Sequence, residues 1–296
     1  MCRTKDLLNS AERMNFSIRE ILSVHSKRLQ AMLSLDISTA RIEAQCLLQA
    51  VLQVNRAYLI THPEQALTVE QQGSYLALYE RRLLGEPIAY LVGEREFFGL
   101  NFKVTPATLI PRPDTELLVE LALMHIPLIG RCRVLDMGTG SGAIALSIAH
   151  ARPEAEVVAV DASEAALQVA RDNQHSLHLD NVTFIESDWF SALGQQSFDV
   201  IVSNPPYIAA NDKHLAQGDV CFEPLSALVS GGDGLQDICR ISEQAAQYLN
   251  ALGWLMFEHG YNQAELVRDM LQKAGFQQVF SSRDLAGIER VTGGRT

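Results

Sequence analysis

The chain has 296 residues, 47% of them hydrophobic, and a formal net charge of -11. That length buries a full α/β core and leaves room for a second, smaller domain. The acidic balance with scattered Lys and Arg offers no footprint for a phosphate backbone, and no run reaches the roughly 18 apolar residues of a membrane span. Stable nucleic-acid binding and membrane insertion are therefore not expected.

The opening "MCRTKDLLNSAERMNF" lacks the apolar segment of a signal peptide, which predicts a cytoplasmic protein, and Met14 is an alternative start. The cysteines Cys2, Cys46, Cys132, Cys221 and Cys239 lie far apart, with no CxxC pair and no His at zinc-finger spacing. They read as reduced thiols, and no metal site is expected.

From about Ser17 to Leu84 the apolar pattern is helical and strand signals are nearly absent. "ARIEAQCLLQAVLQV" places Ile42, Cys46, Leu47 and Val51 on one face, while "SLDIS" and "THPEQALT" supply caps and breaks. Residues 1–84 thus read as a small helical bundle. Residues 85–113, "GEPIAYLVGEREFFGLNFKVTPATLIPRP", turn to short β-rich runs with glycines and prolines and predict a β-hairpin linker.

Over residues 114–296 strands alternate with helices. "CRVLDMG", "AEVVAVD", "VTFIES", "FDVIVSN" and "GWLMFEHG" read as strands, "SGAIALSIAHA" and "SEAALQVARDNQHSL" as helices. This alternation predicts a mostly parallel, doubly wound α/β sheet. The tail "VFSSRDLAGIERVTGGR" reads as two more strands, an antiparallel pair at the sheet edge.

The first strand runs into "VLDMGTGSGAIAL", where Gly138, Thr139, Gly140, Ser141 and Gly142 separate strand from helix. A missing Cβ lets a ligand reach the backbone, and the helix N-terminus offers free N–H donors. Asp161 closes the next strand, where a carboxylate accepts both hydroxyls of a ribose. These features describe an adenosine pocket, but the glycines alone fit NAD as well as S-adenosylmethionine, since Gly138-x-Gly140-x-x-Ala143 meets the looser dinucleotide fingerprint. Asp136 completes the Asp-x-Gly-x-Gly-x-Gly pattern of class I methyltransferases and favours S-adenosylmethionine. "SDW", Ser187 to Trp189, is placed either for an adenine contact or to put Trp189 in the core.

"VSNPPYI" stops a buried strand on Asn204, Pro205, Pro206 and Tyr207. The Asn204 side-chain oxygen and the Pro205 carbonyl offer two acceptors for a planar NH2 group, on backbone stiffened by two prolines. Tyr207 is placed to stack on that group and exclude water. At the end of the fourth strand after a glycine loop, this arrangement points to N-methylation.

In order and spacing, "GEPIAYLVGEREFFGLNFKVTPATLIPRPDTELLVE", "DMGTGSGAIALSIA", "SDWFSAL", "IVSNPPYI", "QGDVCFEPLSAL" and "FEHG" resemble the peptide chain release factor N5-glutamine methyltransferases, the PrmC/HemK family. The resemblance runs from about Ile18 to the C-terminus. It implies a class I S-adenosylmethionine-dependent methyltransferase fold, Rossmann-like with a mostly parallel seven-stranded sheet. It also implies methyl transfer to the side-chain amide N5 of the glutamine in the GGQ motif of release factors, with S-adenosylhomocysteine as product. Carried over by position, Gly138 to Gly142 and Asp161 bind the cofactor, with Trp189 near the adenine. Asn204, Pro205, Pro206 and Tyr207 hold the glutamine, Asn204 also lying close to the cofactor, and the helical domain docks the release factor. "TLIPRPDTE", with Arg112, is expected to wall the pocket, whereas Glu258 and His259 are assigned no chemistry. The alternative is an N-methyltransferase acting on an exocyclic amine of DNA or rRNA, or on a ribosomal protein. An NAD-dependent oxidoreductase would need a positioned His or Tyr-Lys pair, which the sequence does not show.

Overall fold

The structure, a computed structural model, describes residues 16–296, so Met14 and Cys2 lie outside the described residues. The chain divides into two compact units, Met1–Val92 and Gly93–Thr296.

The first unit is helical. Helix α1 (Ile18–Leu33) opens on a capping box in which the Ser17 hydroxyl accepts the Glu20 N–H and the Glu20 carboxylate accepts the Ser17 N–H. Asp36 caps α2 (Ile37–Leu52), Asn55 caps α3 (Arg56–Thr61), and Thr68 with Gln71 forms a second capping box on α4 (Val69–Leu83). Each such cap is worth about 1 kcal/mol. Ile18, Leu29, Leu47, Leu48, Leu59 and Tyr75 bury into one core. The expected buried stripe on α2 needs correction: Ile42 is 50% exposed, while Ala40, Ala44, Leu47 and Leu48 face inward. The two alanines, one helical turn apart, let neighbouring helices approach closely, so the packed face follows the small residues rather than the bulkiest. A bidentate ion pair of Arg82 with Glu43, at 2.9 Å through both nitrogens, ties α4 to α2.

The stretch expected to be a hairpin linker begins with a short helix, α5 (Ile88–Val92), which belongs to the first unit. The hairpin itself is β1 (Glu94–Phe97) and β2 (Leu100–Lys103), paired from Phe97↔Leu100 outward. Its two-residue turn has φ of 52° at Phe98 and 76° at Gly99, the left-handed pair that matches the twist of the strands. Phe97 and Phe102 bury into the sheet core. The buried Asn173 accepts the Lys103 N–H at 2.7 Å and donates to the carbonyls of Lys103 and Ser141. One side chain thereby fixes the hairpin to the glycine loop.

After α6 (Glu116–Leu123) the second unit builds β3 (Arg133–Met137), α7 (Ala143–Ala151), β4 (Glu156–Asp161), α8 (Glu164–Leu177), β5 (Val182–Glu186) and β6 (Phe198–Ser203). Then follow α9 (Gln236–Ala245), β7 (Leu249–Glu258), α10 (Ala264–Lys273), β8 (Gln277–Arg283) and β9 (Glu289–Arg295). The seven-stranded sheet has the order β5-β4-β3-β6-β7-β9-β8, parallel except for β9, which is antiparallel to both its neighbours. The last two strands form the antiparallel pair expected at the sheet edge, with β9 beside β7 and β8 outermost. Alternating residues of each strand feed opposite faces. Val134 packs with Leu118, Ile144 and Ile148 on one side, while Leu135 packs with Ile238, Ile241 and Val267 on the other. Each such residue contributes roughly 1.5–3 kcal/mol by burial.

The chain winds outward from β3 through β4 to β5, then returns to β6 on the other side of β3. The loops after β3 and β6 diverge at this reversal and open a crevice at the carboxyl edge of the sheet.

Candidate active site

A cavity of about 410 Å³ fills that crevice, within the size range of small-molecule sites. Its walls include Gly138, Thr139, Gly140, Ser141, Asp161, Trp189, Asn204 and Pro206, so the glycine loop and the NPPY loop share one chamber. Gly142, Pro205 and Tyr207 stand outside its walls.

The glycine loop is set by backbone geometry. Gly138, Gly140 and Gly142 have φ of 73°, 56° and 82°. The N–H groups of Gly138 and Thr139 donate to the Val160 carbonyl at 2.9 Å, and that of Gly140 donates to Asp161 Oδ2 at 2.8 Å. A Cβ on Gly140 would meet open space, whereas one on Gly142 would meet Leu146 Cδ1 at 2.9 Å and Ala170 Cβ at 3.2 Å. Gly140 thus leaves the cavity floor clear, and Gly142 seats the helix against its neighbours. Beneath the loop, the buried Asp136 accepts the Thr139 hydroxyl at 2.6 Å and the Ala145 N–H at 3.2 Å. Burial pushes its carboxyl up to about 7. Asp136 staples the turn from behind and forms no part of the cavity wall.

Asp161 ends β4 with Oδ1 accepting the Ser163 N–H at 2.9 Å, and burial raises its carboxyl above the usual range. Its oxygens accept backbone N–H groups yet keep lone-pair capacity for a ribose hydroxyl. Trp189 has φ of 52°, and its indole N–H donates to Asp237 Oδ1 at 3.2 Å. Its ring edge lies 3.5 Å from the point a Gly138 Cβ would occupy, and it also packs against the core. A glycine floor, a carboxylate and an aromatic wall fit the nucleoside of S-adenosylmethionine.

Asn204 follows β6, where Ser203 Oγ donates to the Met137 carbonyl at 2.7 Å and locks the ends of β3 and β6 together. Its Nδ2 donates to Thr115 Oγ1 at 3.3 Å. Downstream, Ile208 exchanges backbone hydrogen bonds with Leu228 and Ser230 at 2.9 and 3.0 Å. The Tyr207 carbonyl accepts Gln263 Nε2 at 3.0 Å, and a Cβ on Gly234 would lie 2.3 Å from that same oxygen. The loop is held at both ends. The half-buried Tyr207 hydroxyl is raised by burial, with Glu258 adding to the shift.

The segment before α6 supplies Thr108, Leu109, Pro111, Arg112 and Thr115 to the wall, as expected for "TLIPRPDTE". Arg112 Nη2 donates to both oxygens of the fully buried Glu223, at 2.7 and 2.8 Å. Sequence reasoning assigned no role to Glu223, Asp237 or Arg240. Their partners are distant along the chain, and the only signals were the "EPLSAL" block and the run of polar residues after it. Glu258 and His259 are buried outside the cavity wall; His259 bonds Thr292 Oγ1 at 2.8 Å and the Gly260 carbonyl at 3.0 Å.

Residues 130–286 match the family model for a methyltransferase domain, and residues 20–93 match the PrmC N-terminal domain. A release factor glutamine methyltransferase of Salmonella typhimurium is 50% identical over 260 residues, spanning 88% of this chain and 94% of that protein. One from Escherichia coli K12 is 49% identical over 255 residues, spanning 86% and 92%. A crystal structure of a methyltransferase from Pyrococcus furiosus is similar in fold, with a TM-score of 0.51 at 20% identity over 73% of this chain and 95% of that one. Similarity at this level along both units shows that the chain belongs to the release factor glutamine methyltransferases.

Proposed function

We propose that the cavity binds S-adenosylmethionine over the glycine loop and presents the side-chain amide of a release-factor glutamine to it at Asn204. The observation that carries this reading is the shared chamber: Gly140, Asp161 and Asn204 line one cavity although three different strands deliver them. When bound, S-adenosylmethionine supplies an electrophilic sulfonium methyl.

An amide nitrogen is a poor nucleophile because its lone pair is delocalised into the carbonyl. Positioning and stabilisation of the charge that develops on nitrogen are what the protein must supply. Asn204 Oδ1 accepts one N–H of the glutamine, and the Pro205 carbonyl accepts the other. Pro205 and Pro206 fix the backbone that carries both acceptors, so little ordering entropy remains to be lost on binding. Tyr207, rigidly anchored through its carbonyl, limits water behind the loop. Gly138 to Ser141, Asp161 and Trp189 hold the cofactor, while Gly142 serves them by packing the helix.

The helical unit docks the release factor and carries no catalytic group of its own. The glutamine of the GGQ motif is the acceptor, and the reaction takes place in the cytoplasm. Among the described residues no helix is long and apolar enough to cross a membrane. Labelled S-adenosylmethionine incubated in parallel with release factor, duplex DNA and rRNA tests the assignment. Label is expected on the release-factor glutamine; label on nucleic acid and none on release factor would refute it.

A further inference from the structure

Strand β7 ends at Glu258, one step beyond the Ser203↔Phe257 pair that joins it to β6. Parallel pairing brings this side chain alongside Asn204, the residue after β6. Glu258 is 2% exposed, and its carboxyl faces the Thr115 hydroxyl and the Asn204 amide. Oε2 has no hydrogen-bond partner among the described residues. Asp114, Arg290 and Tyr207 are the other titratable groups facing it.

A primary amide has a donor end and an acceptor end of nearly equal shape, so its partners alone decide which end faces the cavity. Thr115 cannot decide, because a hydroxyl donates or accepts by rotating, and its 3.3 Å contact with Asn204 is long. An ionised carboxylate only accepts. Placed behind Asn204, it draws the NH2 end inward and leaves the oxygen for the cavity.

We propose that Glu258 is a positioning residue for methyl transfer, its carboxylate holding the Asn204 amide with Nδ2 inward and Oδ1 toward the acceptor N–H. This rests on the role given above to Asn204. Glu258 is no part of the cavity wall, so it acts through Asn204, and its loss is read in turnover rather than in binding.

The test uses the full chain with Glu258→Met, which fills the volume without a strong acceptor, and Glu258→Gln, which keeps one. Glu258→Met should lower kcat on release factor at least about tenfold, with the KM for release factor and the Kd for cofactor within about threefold. Glu258→Gln should recover most of that loss. In the free protein, the Asn204 side-chain amide cross-peaks in a ¹⁵N–¹H spectrum should move and exchange faster in Glu258→Met, and move less in Glu258→Gln. Unmoved cross-peaks, wild-type kcat in Glu258→Met, or equal losses in both variants would each overturn the inference. A wild-type protein that leaves release factor unlabelled while these cross-peaks still respond would overturn the substrate assignment alone.

Discussion

Alanine at Gly140 and alanine at Gly142 should fail in opposite ways, although the two glycines stand two residues apart in one loop. At Gly142 the φ of 82° costs an alanine about 1–2 kcal/mol, and its Cβ would strike Leu146 Cδ1 at 2.9 Å and Ala170 Cβ at 3.2 Å. Overpacking of a core helix adds roughly 1–3 kcal/mol, so Gly142→Ala should lose about 2–5 kcal/mol of unfolding free energy. Gly140 has a φ of 56° and open space where a Cβ would sit. Gly140→Ala should lose only the backbone share, about 1–2 kcal/mol. Its methyl enters the cavity, so affinity for S-adenosylmethionine should fall at least about tenfold, or ~1.4 kcal/mol. Urea unfolding of the apoprotein and calorimetric titration of the cofactor separate the two effects. Refutation would be a Gly140→Ala variant with unchanged cofactor affinity, or a Gly142→Ala variant as stable as wild type.

Asn204→Ala should abolish methyl transfer while leaving cofactor affinity within about tenfold, and Asp161→Ala should weaken cofactor binding first; titrations beside turnover assays distinguish them. Arg112→Met strands the buried Glu223 without its cation and should cost roughly 1–3 kcal/mol, reduced from a fully buried pair because Arg112 is a third exposed. Burial already raises the Glu223 carboxyl and Arg112 opposes that rise. The loss should therefore be larger at pH 8 than at pH 5, where the unpaired carboxyl takes up a proton; equal losses at both pH values would contradict it. Glu258 is pushed by burial up to about 7. Between the ordinary carboxyl range and pH 7 the folded state holds a proton that the unfolded state has released, so this group lowers stability progressively as pH rises. Glu258→Gln removes the penalty and should be more stable than wild type by up to about 3 kcal/mol at pH 8, with little difference at pH 4. Urea midpoints at the two pH values check the sign. Since the ionised Glu258 is what holds Asn204, wild-type kcat should fall as pH drops through about 7, and that fall should flatten in Glu258→Gln, as measured by pH profiles on release factor.

The parallel strands were legible because each is a short β-branched run ending at a marked residue: Met137 before the glycines, Asp161, Ser203 before Asn204. The glycine loop and "NPPY" were legible for a related reason, since both chemistries depend on residues adjacent in sequence. What could not be read was the order in which the last two strands join the sheet. Nothing local to "VFSSRDLAGIERVTGGR" says that β9 inserts beside β7 and leaves β8 at the edge. Ile42 misled because a bulky residue on a helix face resembles core, while the buried face carries Ala40, Ala44, Leu47 and Leu48. Arg112 and Glu223 are separated by 111 residues and Asn204 and Thr115 by 89, so only the folded sheet brings them together.

The four residues of "NPPY" do not share one placement. Asn204 and Pro206 form cavity wall, Pro205 is buried, and Tyr207 is held through its backbone carbonyl by Gln263. Gly234 passes so close to that carbonyl that any side chain there would displace it. The rigidity of the motif is therefore not intrinsic to two prolines. Proline fixes φ on either side of the acceptors, but the position of Asn204 relative to the glycine loop is set by Ser203 on Met137, Ile208 on Leu228 and Gln263 on Tyr207. Methyl transfer to an amide demands placement to within a fraction of an ångström, and that precision resides in contacts that lie outside the motif.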